Sequence, residues 1–136
     1  MEKAFVDTDV ILDLLTAREP FYSDAAKLFS LADSGRIRLF VSSLSFSNLN
    51  YILSKQYSVV QARKRLFQFK TLVSVLAVTD KIVELSLGSD FKDFEDGMQY
   101  FTATENHISI LLTRNLKDYK VAEISVMTPG QFLKGL

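Results

Sequence analysis

The chain has 136 residues, 48% of them hydrophobic, and equal numbers of basic and acidic residues, so its formal net charge is zero. This composition predicts a single folded domain over residues 1–136 and excludes both a disordered tail and a generally basic nucleic-acid coat. The chain has no cysteine, which excludes disulfides and thiolate zinc sites. Its one histidine, His107, argues against a His-rich metal site and against Ser-His-Asp chemistry.

The N-terminus does not predict a signal peptide, because Glu2 and Lys3 precede an apolar run of only a few residues. No segment approaches the roughly 18 apolar residues of a membrane-spanning helix. We therefore expect a cytoplasmic protein with no membrane partner.

Predicted strands and helices alternate along the chain, which is typical of an α/β fold with a mostly parallel sheet. The first half of the chain predicts a strand over 3–10, a helix opened by Pro20 and Ser23 and stopped by Gly35, a strand over 37–41, a helix capped by Ser42 or Ser43, and a helix capped by Ser58. The second half predicts a strand over 72–78, a helix from Thr79 to Leu87 and a helix up to about Glu105. Strands over 109–112 and 124–127 follow, and Thr128 and Pro129 open a terminal helix.

Polar residues follow the first and fourth predicted strands. Asp7 follows an apolar run, and Thr113, Arg114 and Asn115 follow another. Ligands of parallel sheets bind beyond the carboxyl ends of the strands, so we expect both segments at the ligand-binding edge. Asp9 depends for its direction on where the first strand ends, and Asp13 either caps a turn or faces solvent.

The stretch DFKDFEDG, residues 90–97, carries a second group of carboxylates just ahead of a helical pattern. If the fold brings it to Asp7, the mutual repulsion needs a cation, and oxygen ligands favour Mg²⁺ or Mn²⁺. We expect Asp96 to bind the metal and Asp93 to support it from outside the metal's own ligands. Glu95 is expected to be a surface charge that stabilises the helix dipole.

The loop after the fourth strand offers further hard ligands, since Asn115 has a carbonyl oxygen and Asp118 a carboxylate. The alternative is a solvated loop with an Asx turn. Thr113 is expected to hydrogen-bond to the site.

Four segments in this order resemble a PIN domain: DTDVILDLL, SSLSFSNLNYIL, DFEDGMQYFTA and LLTRNLKDY. The resemblance implies a three-layer α/β/α fold around about five mostly parallel strands. It also implies a metal-dependent endoribonuclease with catalytic or metal-binding residues at Asp7, Asp96, Asn115 and Asp118. The VapC-type toxins of this family act on RNA, commonly form homodimers and are held by an antitoxin protein.

Two positions depart from the family pattern. The chain has Asn48 where the family usually has a Glu on the second helix, and Asn115 where it often has an Asp. Both changes remove negative charge, which Asp118, Asp93 or Asp9 would have to restore. The alternative function is therefore a PIN-fold module that binds RNA or a protein without cleaving.

Basic residues suggest where RNA would bind. Arg114 lies in the site loop, and Arg63, Lys64 and Arg65 form a basic run with Phe67 and Phe69 nearby. The alternative for that run is a solvated helix face.

A third hypothesis is a haloacid-dehalogenase-like phosphatase. Asp7-Thr8-Asp9 resembles the DxD nucleophile pair of that family, and Ser42 and the segment 95–97 resemble its later motifs. The chain is short for that fold with a cap domain.

Overall fold

The structure is a computed structural model that describes residues 1–136. It contains five strands, seven α-helices and one short 3₁₀ helix. Their bounds are β1 Glu2–Val6, α1 Thr8–Leu15, α2 Tyr22–Asp33, β2 Ile37–Ser42, α3 Ser43–Gln56, α4 Val59–Lys70, β3 Ser74–Leu76, α5 Asp80–Leu87, α6 Phe94–Glu105, β4 Ile110–Leu112, the 3₁₀ helix Leu116–Tyr119, β5 Ser125–Met127 and α7 Pro129–Lys134.

The five strands form one parallel sheet in the order β3-β2-β1-β4-β5. β1 lies at the centre, where Phe5 aligns with Phe40 of β2 on one side and with Leu111 of β4 on the other. Helices cover both faces, so the predicted three-layer α/β/α fold is confirmed.

Alternate residues of the strands point to two separate hydrophobic cores. Ala4 and Val6 of β1 belong to the larger core, which is completed by buried residues of α1, α2, α3, α4 and α7. Phe5, between them, belongs to the smaller core with Tyr100 and Ala103 of α6. This arrangement places α6 across the sheet from α1 and α3, and the first turns of α1 and α6 meet the middle of α3 at the carboxyl edge.

Most helix starts agree with the predicted capping residues. Ser42, Ser58, Thr79 and Thr128 each accept a hydrogen bond from a backbone N–H of the helix that follows, and Thr128 forms a full capping box with Gln131. These caps fix where α3, α4, α5 and α7 begin. None of the helices is long and apolar enough to cross a membrane.

The first strand is shorter than predicted. It ends at Val6, and the segment 8–15, predicted in part as strand, is helix α1. The apolar run Val10-Ile11-Leu12 is buried either way, and a short apolar run does not distinguish a buried strand from a buried helix. The third strand is also shorter than predicted, and the 3₁₀ helix was not predicted.

Candidate functional site

The carboxyl ends of β1 and β4 form the centre of the site. The chain runs from β1 outward to β2 and β3 and then returns to the opposite side of β1 as β4, so the strand order reverses between β1 and β4. Ligands of open parallel sheets bind in the crevice at such a reversal. The Asp7 backbone N–H donates to the Leu112 carbonyl at 2.9 Å, which holds Asp7 at this crevice.

Asp7 is held by two side-chain hydrogen bonds. Gln99 Nε2 donates to its Oδ1 and Thr113 Oγ1 donates to its Oδ2, both at 2.8 Å. The side chain is buried, and burial is the main cause that raises its pKa, followed by the charge of Asp9. The two hydrogen bonds act in the opposite direction. The Asp7 carboxylate is therefore fixed in direction and costly to keep charged alone.

Asp96 lies in the first turn of α6, where its backbone N–H donates to the capping carboxylate of Asp93 at 3.1 Å. The Tyr119 hydroxyl donates to Asp96 Oδ1 at 3.4 Å, a long contact. Burial raises the pKa of Asp96 to about 7. The charges of Asp7, Asp93 and Asp118 act in the same direction. The two acidic segments of the sequence thus meet in space.

Together these residues line an open cleft of about 710 Å³, called here the acidic cleft. It is lined by six carboxylates, three of them from α6 and its cap, and by no basic residue. The lining residues are Asp7, Thr8, Asp9, Ser47, Asn48, Tyr51, Ile52, Asp93, Glu95, Asp96, Gln99 and Asp118.

Glu95 is exposed in the first turn of α6, as expected for a surface charge near the helix N-terminus, and it also lines this cleft. Its Oε1 accepts a hydrogen bond from Asn48 Nδ2 of α3. Successive residues of a helix point about 100° apart. Asp96 therefore faces Tyr119 while Glu95 faces α3. The position at which α3 carries Asn48 is thus next to a carboxylate that α6 supplies.

Asn115 does not line the acidic cleft. Its side-chain Nδ2 donates to Asp9 Oδ2 at 2.8 Å, and its backbone N–H donates to Thr113 Oγ1 at 3.1 Å. Asp9 lies in the first turn of α1 rather than on an extended strand, and this contact holds it. A metal-binding role for Asn115 remains a prediction, and the structure assigns it the positioning of Asp9 and Thr113.

Arg114 points away from the acidic cleft. Its Nε lies 2.7 Å from Asp13 Oδ2, and its guanidinium lies 4.2 Å from the centre of the Phe21 ring. Asp13 is 1% exposed, so it neither faces solvent nor serves as an exposed cap. Burial raises the pKa of Asp13, and the Arg114 charge opposes that effect. Arg114 therefore ties the loop after β4 to α1, and its contact to an RNA phosphate remains a prediction.

The basic run of α4 does not line the acidic cleft. Arg63 and Lys64 are exposed. Arg65 donates to the Leu15 carbonyl at 3.2 Å and stacks on the Tyr57 ring at 4.0 Å. The structure thus favours a solvated helix face with one structural arginine, and RNA binding by this run remains untested.

Sequence reasoning missed two residues that hold the carboxylates. Gln99 donates to Asp7 and also accepts from the Thr8 backbone N–H at 3.3 Å. Its spacing was the available signal, because a residue three positions after Asp96 lies on the same helix face. Tyr119 is buried. Burial and the nearby carboxylates raise the pKa of its hydroxyl, which therefore keeps its proton and remains a hydrogen-bond donor. Nothing in the local sequence pointed to it.

The raised pKa of Asp96 predicts how stability depends on pH when divalent cations are chelated. The folded state binds this proton up to about pH 7, whereas the unfolded state releases it near 3.8. The unfolded state therefore binds fewer protons in that window, and the free energy of unfolding falls as pH rises through it. After discounting for solvent screening of a half-buried group, the Asp96 contribution is about 2 kcal/mol.

Urea unfolding in EDTA at several pH values, for the wild type and Asp96→Asn, measures this contribution. The two proteins should have similar stability near pH 4, and the variant should be the more stable near pH 8. Parallel pH profiles for the two proteins would contradict the assignment.

Comparisons with known proteins show which proteins share the sequence pattern and the fold of this chain. The family profile described as "PIN domain" matches residues 3–117. Ribonuclease VapC1 of Aquifex aeolicus (strain VF5) is 29% identical over 139 residues, covering 96% of this chain and 93% of that protein.

Two solved structures share the fold. A toxin-antitoxin complex from Klebsiella pneumoniae contains a chain with a TM-score of 0.68 at 22% identity, covering 93% of this chain and 97% of that one. Mycobacterium tuberculosis VapC20, described as a sarcin-ricin loop cleaving toxin, has a TM-score of 0.63 at 19% identity, covering 79% and 86%.

The phosphatase hypothesis is wrong, because the matched profile is that of another family and Asp96 lies in a helix rather than after a strand. The family profile spans most of the chain, and the acidic segments that suggested it meet at one edge of the sheet. The chain belongs to the PIN domain family.

Proposed function

We propose that this protein is a metal-dependent endoribonuclease and the toxin of a toxin–antitoxin pair. The observation that carries the proposal is the acidic cleft of this PIN-family chain. Asp7 and Asp96 both line it at the reversal of strand order, and the charge of Asp7 contributes to the raised pKa of Asp96. The names of a relative, Ribonuclease VapC1, and of a fold neighbour described as a sarcin-ricin loop cleaving toxin support RNA as the substrate.

The donor set of the cleft fits Mg²⁺ or Mn²⁺. No group of three or more His, Cys, Asp or Glu side chains converges closely enough to hold a metal ion by itself. Mg²⁺ does not require such a cage, because it keeps several of its waters and binds through one or two carboxylates. Burial raises the pKa of both Asp7 and Asp96, so a cation bound beside them would stabilise their charged forms.

Asp7 and Asp96, with Asp118 at the rim, would hold the cation. A bound cation would supply a water of lowered pKa and stabilise charge on the phosphate. Gln99 and Thr113 keep the Asp7 carboxylate in one direction. Asp7 or Asp96 would orient the attacking water or accept its proton.

Chelation tests the proposal. We expect the purified protein to cleave single-stranded or structured RNA in Mn²⁺. It should lose that activity in EDTA, because without a cation the carboxylates repel the negatively charged phosphate. Denaturing gels of end-labelled RNA measure the cleavage, and excess Mn²⁺ added back should restore it. Cleavage that survives EDTA, or no cleavage at any Mn²⁺ concentration, would reject the metal-dependent enzyme.

The second of those outcomes would favour a weakened PIN-fold module that binds RNA or protein. Asn48 and Asn115 motivate this alternative, because each is an amide where the family pattern has an acid. Glu95, beside Asn48, argues against it.

An antitoxin protein is the expected partner, since a fold neighbour is described as a toxin-antitoxin complex. A homodimer is part of the same proposal. Co-purification with the product of an adjacent small gene and light scattering would test the two partners separately.

A further inference from the structure

A second groove adjoins the acidic cleft, and its lining combines four aspartates, among them Asp90, with three lysines. Its volume is about 330 Å³, and it shares Asp93, Asp96 and Asp118 with the cleft. Three lysines line it, Lys92, Lys117 and Lys120, and we call it the lysine groove. The two cavities therefore lie side by side, with Asp93, Asp96 and Asp118 lining both.

The three lysines come from the two segments that hold those carboxylates. Lys92 directly precedes the capping residue of α6, whereas Lys117 lies in the 3₁₀ helix and Lys120 directly follows it. All three are exposed. Their position relative to the cleft is thus set by the same backbone that positions Asp96 and Asp118.

These lysines have no ionic partner within the protein. Its ion pairs join Arg18 and Arg114 to Asp13 and Lys81 to Glu105, and none involves a lysine of the groove. The aspartates that line the same groove lie beyond the 4.0 Å limit of an ion pair. Three ammonium groups are therefore free to pair with an external anion.

An anionic strand needs such cations at this position. The acidic cleft has six carboxylates and no basic residue, so it repels a phosphate chain that approaches it alone. Basic side chains next to the cleft lower that repulsion where the strand enters. The exposed Arg63 and Lys64 of α4 line neither cavity.

The aromatic residue of the groove is not free to stack on a base. The Phe91 ring packs against Tyr100, Phe101 and Tyr119, with centroid distances of 5.2, 6.2 and 5.9 Å. A strand in this groove would therefore be held by ionic contacts to phosphate, which position a strand without reading its sequence.

We propose that the lysine groove binds the phosphodiester backbone of the RNA strand adjacent to the bond held in the acidic cleft. The proposal rests on the proposed function, because it takes RNA as the ligand. It assigns RNA binding to Lys92, Lys117 and Lys120 rather than to the basic run of α4.

The salt dependence of binding tests this assignment. Fluorescence anisotropy of a labelled single-stranded RNA, measured in EDTA so that metal-dependent cleavage is absent, gives the binding constant at several KCl concentrations. Each lost phosphate contact lowers the magnitude of the slope of log K against log[salt] by about 0.7 for single strands. We expect Lys117→Gln/Lys120→Gln to lower it by about 1.4 and Lys92→Gln by about 0.7.

The matched control is Arg63→Gln/Lys64→Gln, which removes the same charge from α4 and should leave the slope unchanged. Thermal melting of each variant should match the wild type, because the substituted side chains are exposed. A wild-type slope in the groove variants, with or without a reduced slope in the α4 variant, would overturn the groove while leaving the proposed function intact. A wild type that neither binds RNA in EDTA nor cleaves it in Mn²⁺ would overturn both.

Discussion

Asp7→Asn should lower RNA cleavage by at least about 100-fold, the usual scale for losing one charged or hydrogen-bonding group that acts on the transition state. The substitution keeps the size of the side chain but removes its charge. Both carboxylate oxygens of Asp7 accept hydrogen bonds, from Gln99 and Thr113. The amide of Asn has only one acceptor oxygen, so it cannot accept both hydrogen bonds as the carboxylate does.

The fold should survive this change. Asp7 is the N-cap residue of α1, but its side chain makes no capping hydrogen bond, so the substitution removes no cap. Burial also raises the pKa of Asp7, so an uncharged side chain removes a cost in the absence of a cation. The melting temperature in EDTA should stay at or above that of the wild type.

Initial rates of RNA cleavage in Mn²⁺ measure the effect. Asp33→Asn is the matched control, because it removes the same charge from the exposed end of α2 and should leave the rate unchanged. An Asp7→Asn rate within about twofold of the wild type would remove Asp7 from the catalytic machinery, since such a change is far below the expected loss.

Arg114→Ala should lower the free energy of unfolding by about 3–5 kcal/mol, the cost of removing one partner from a buried ion pair. Asp13 is 1% exposed, and after the substitution its nearest cation is Arg18 at 4.0 Å. The packing of the guanidinium against Phe21 is lost as well. Urea unfolding monitored by circular dichroism measures the change.

Two controls separate this structural role from RNA binding. Asp13→Leu/Arg114→Met removes both charges at once and should restore most of the stability, because apolar residues of similar size often replace a buried pair at little cost. Arg63→Ala, at an exposed position, should change stability by less than about 0.5 kcal/mol. An Arg114→Ala protein of normal stability with weakened RNA binding would instead support Arg114 as a phosphate contact.

Much of the fold could be predicted because its signals are local. Ser58 and Thr79 mark helix starts by their own hydrogen-bonding chemistry, and the structure uses both as caps. Asp7 after an apolar strand was enough to place a carboxylate at the ligand-binding edge. The meeting of Asp7 and Asp96 depended on the order of the strands and was predicted through the family resemblance.

The remaining features depend on helix rotation and on long-range packing, which no local pattern contains. Glu95 and Asp96 are adjacent in sequence, and only the packing of α6 decides that both reach the cleft on different walls. The direction of Arg114 depends on Asp13, which lies on α1 about a hundred positions earlier. The α1 segment itself was misassigned because its apolar run suits either a buried strand or a buried helix.

The contact between Asn48 and Glu95 has a consequence for recognising related chains. A rule that infers nuclease competence from an acid at the α3 position would classify this chain as defective, although an α6 carboxylate occupies the neighbouring space. The informative unit is the pair of positions, so an amide on α3 together with an acid directly before the α6 aspartate should be scored as one state. Loss of the nuclease site is expected in chains that have an amide at the α3 position and no acid directly before the α6 aspartate.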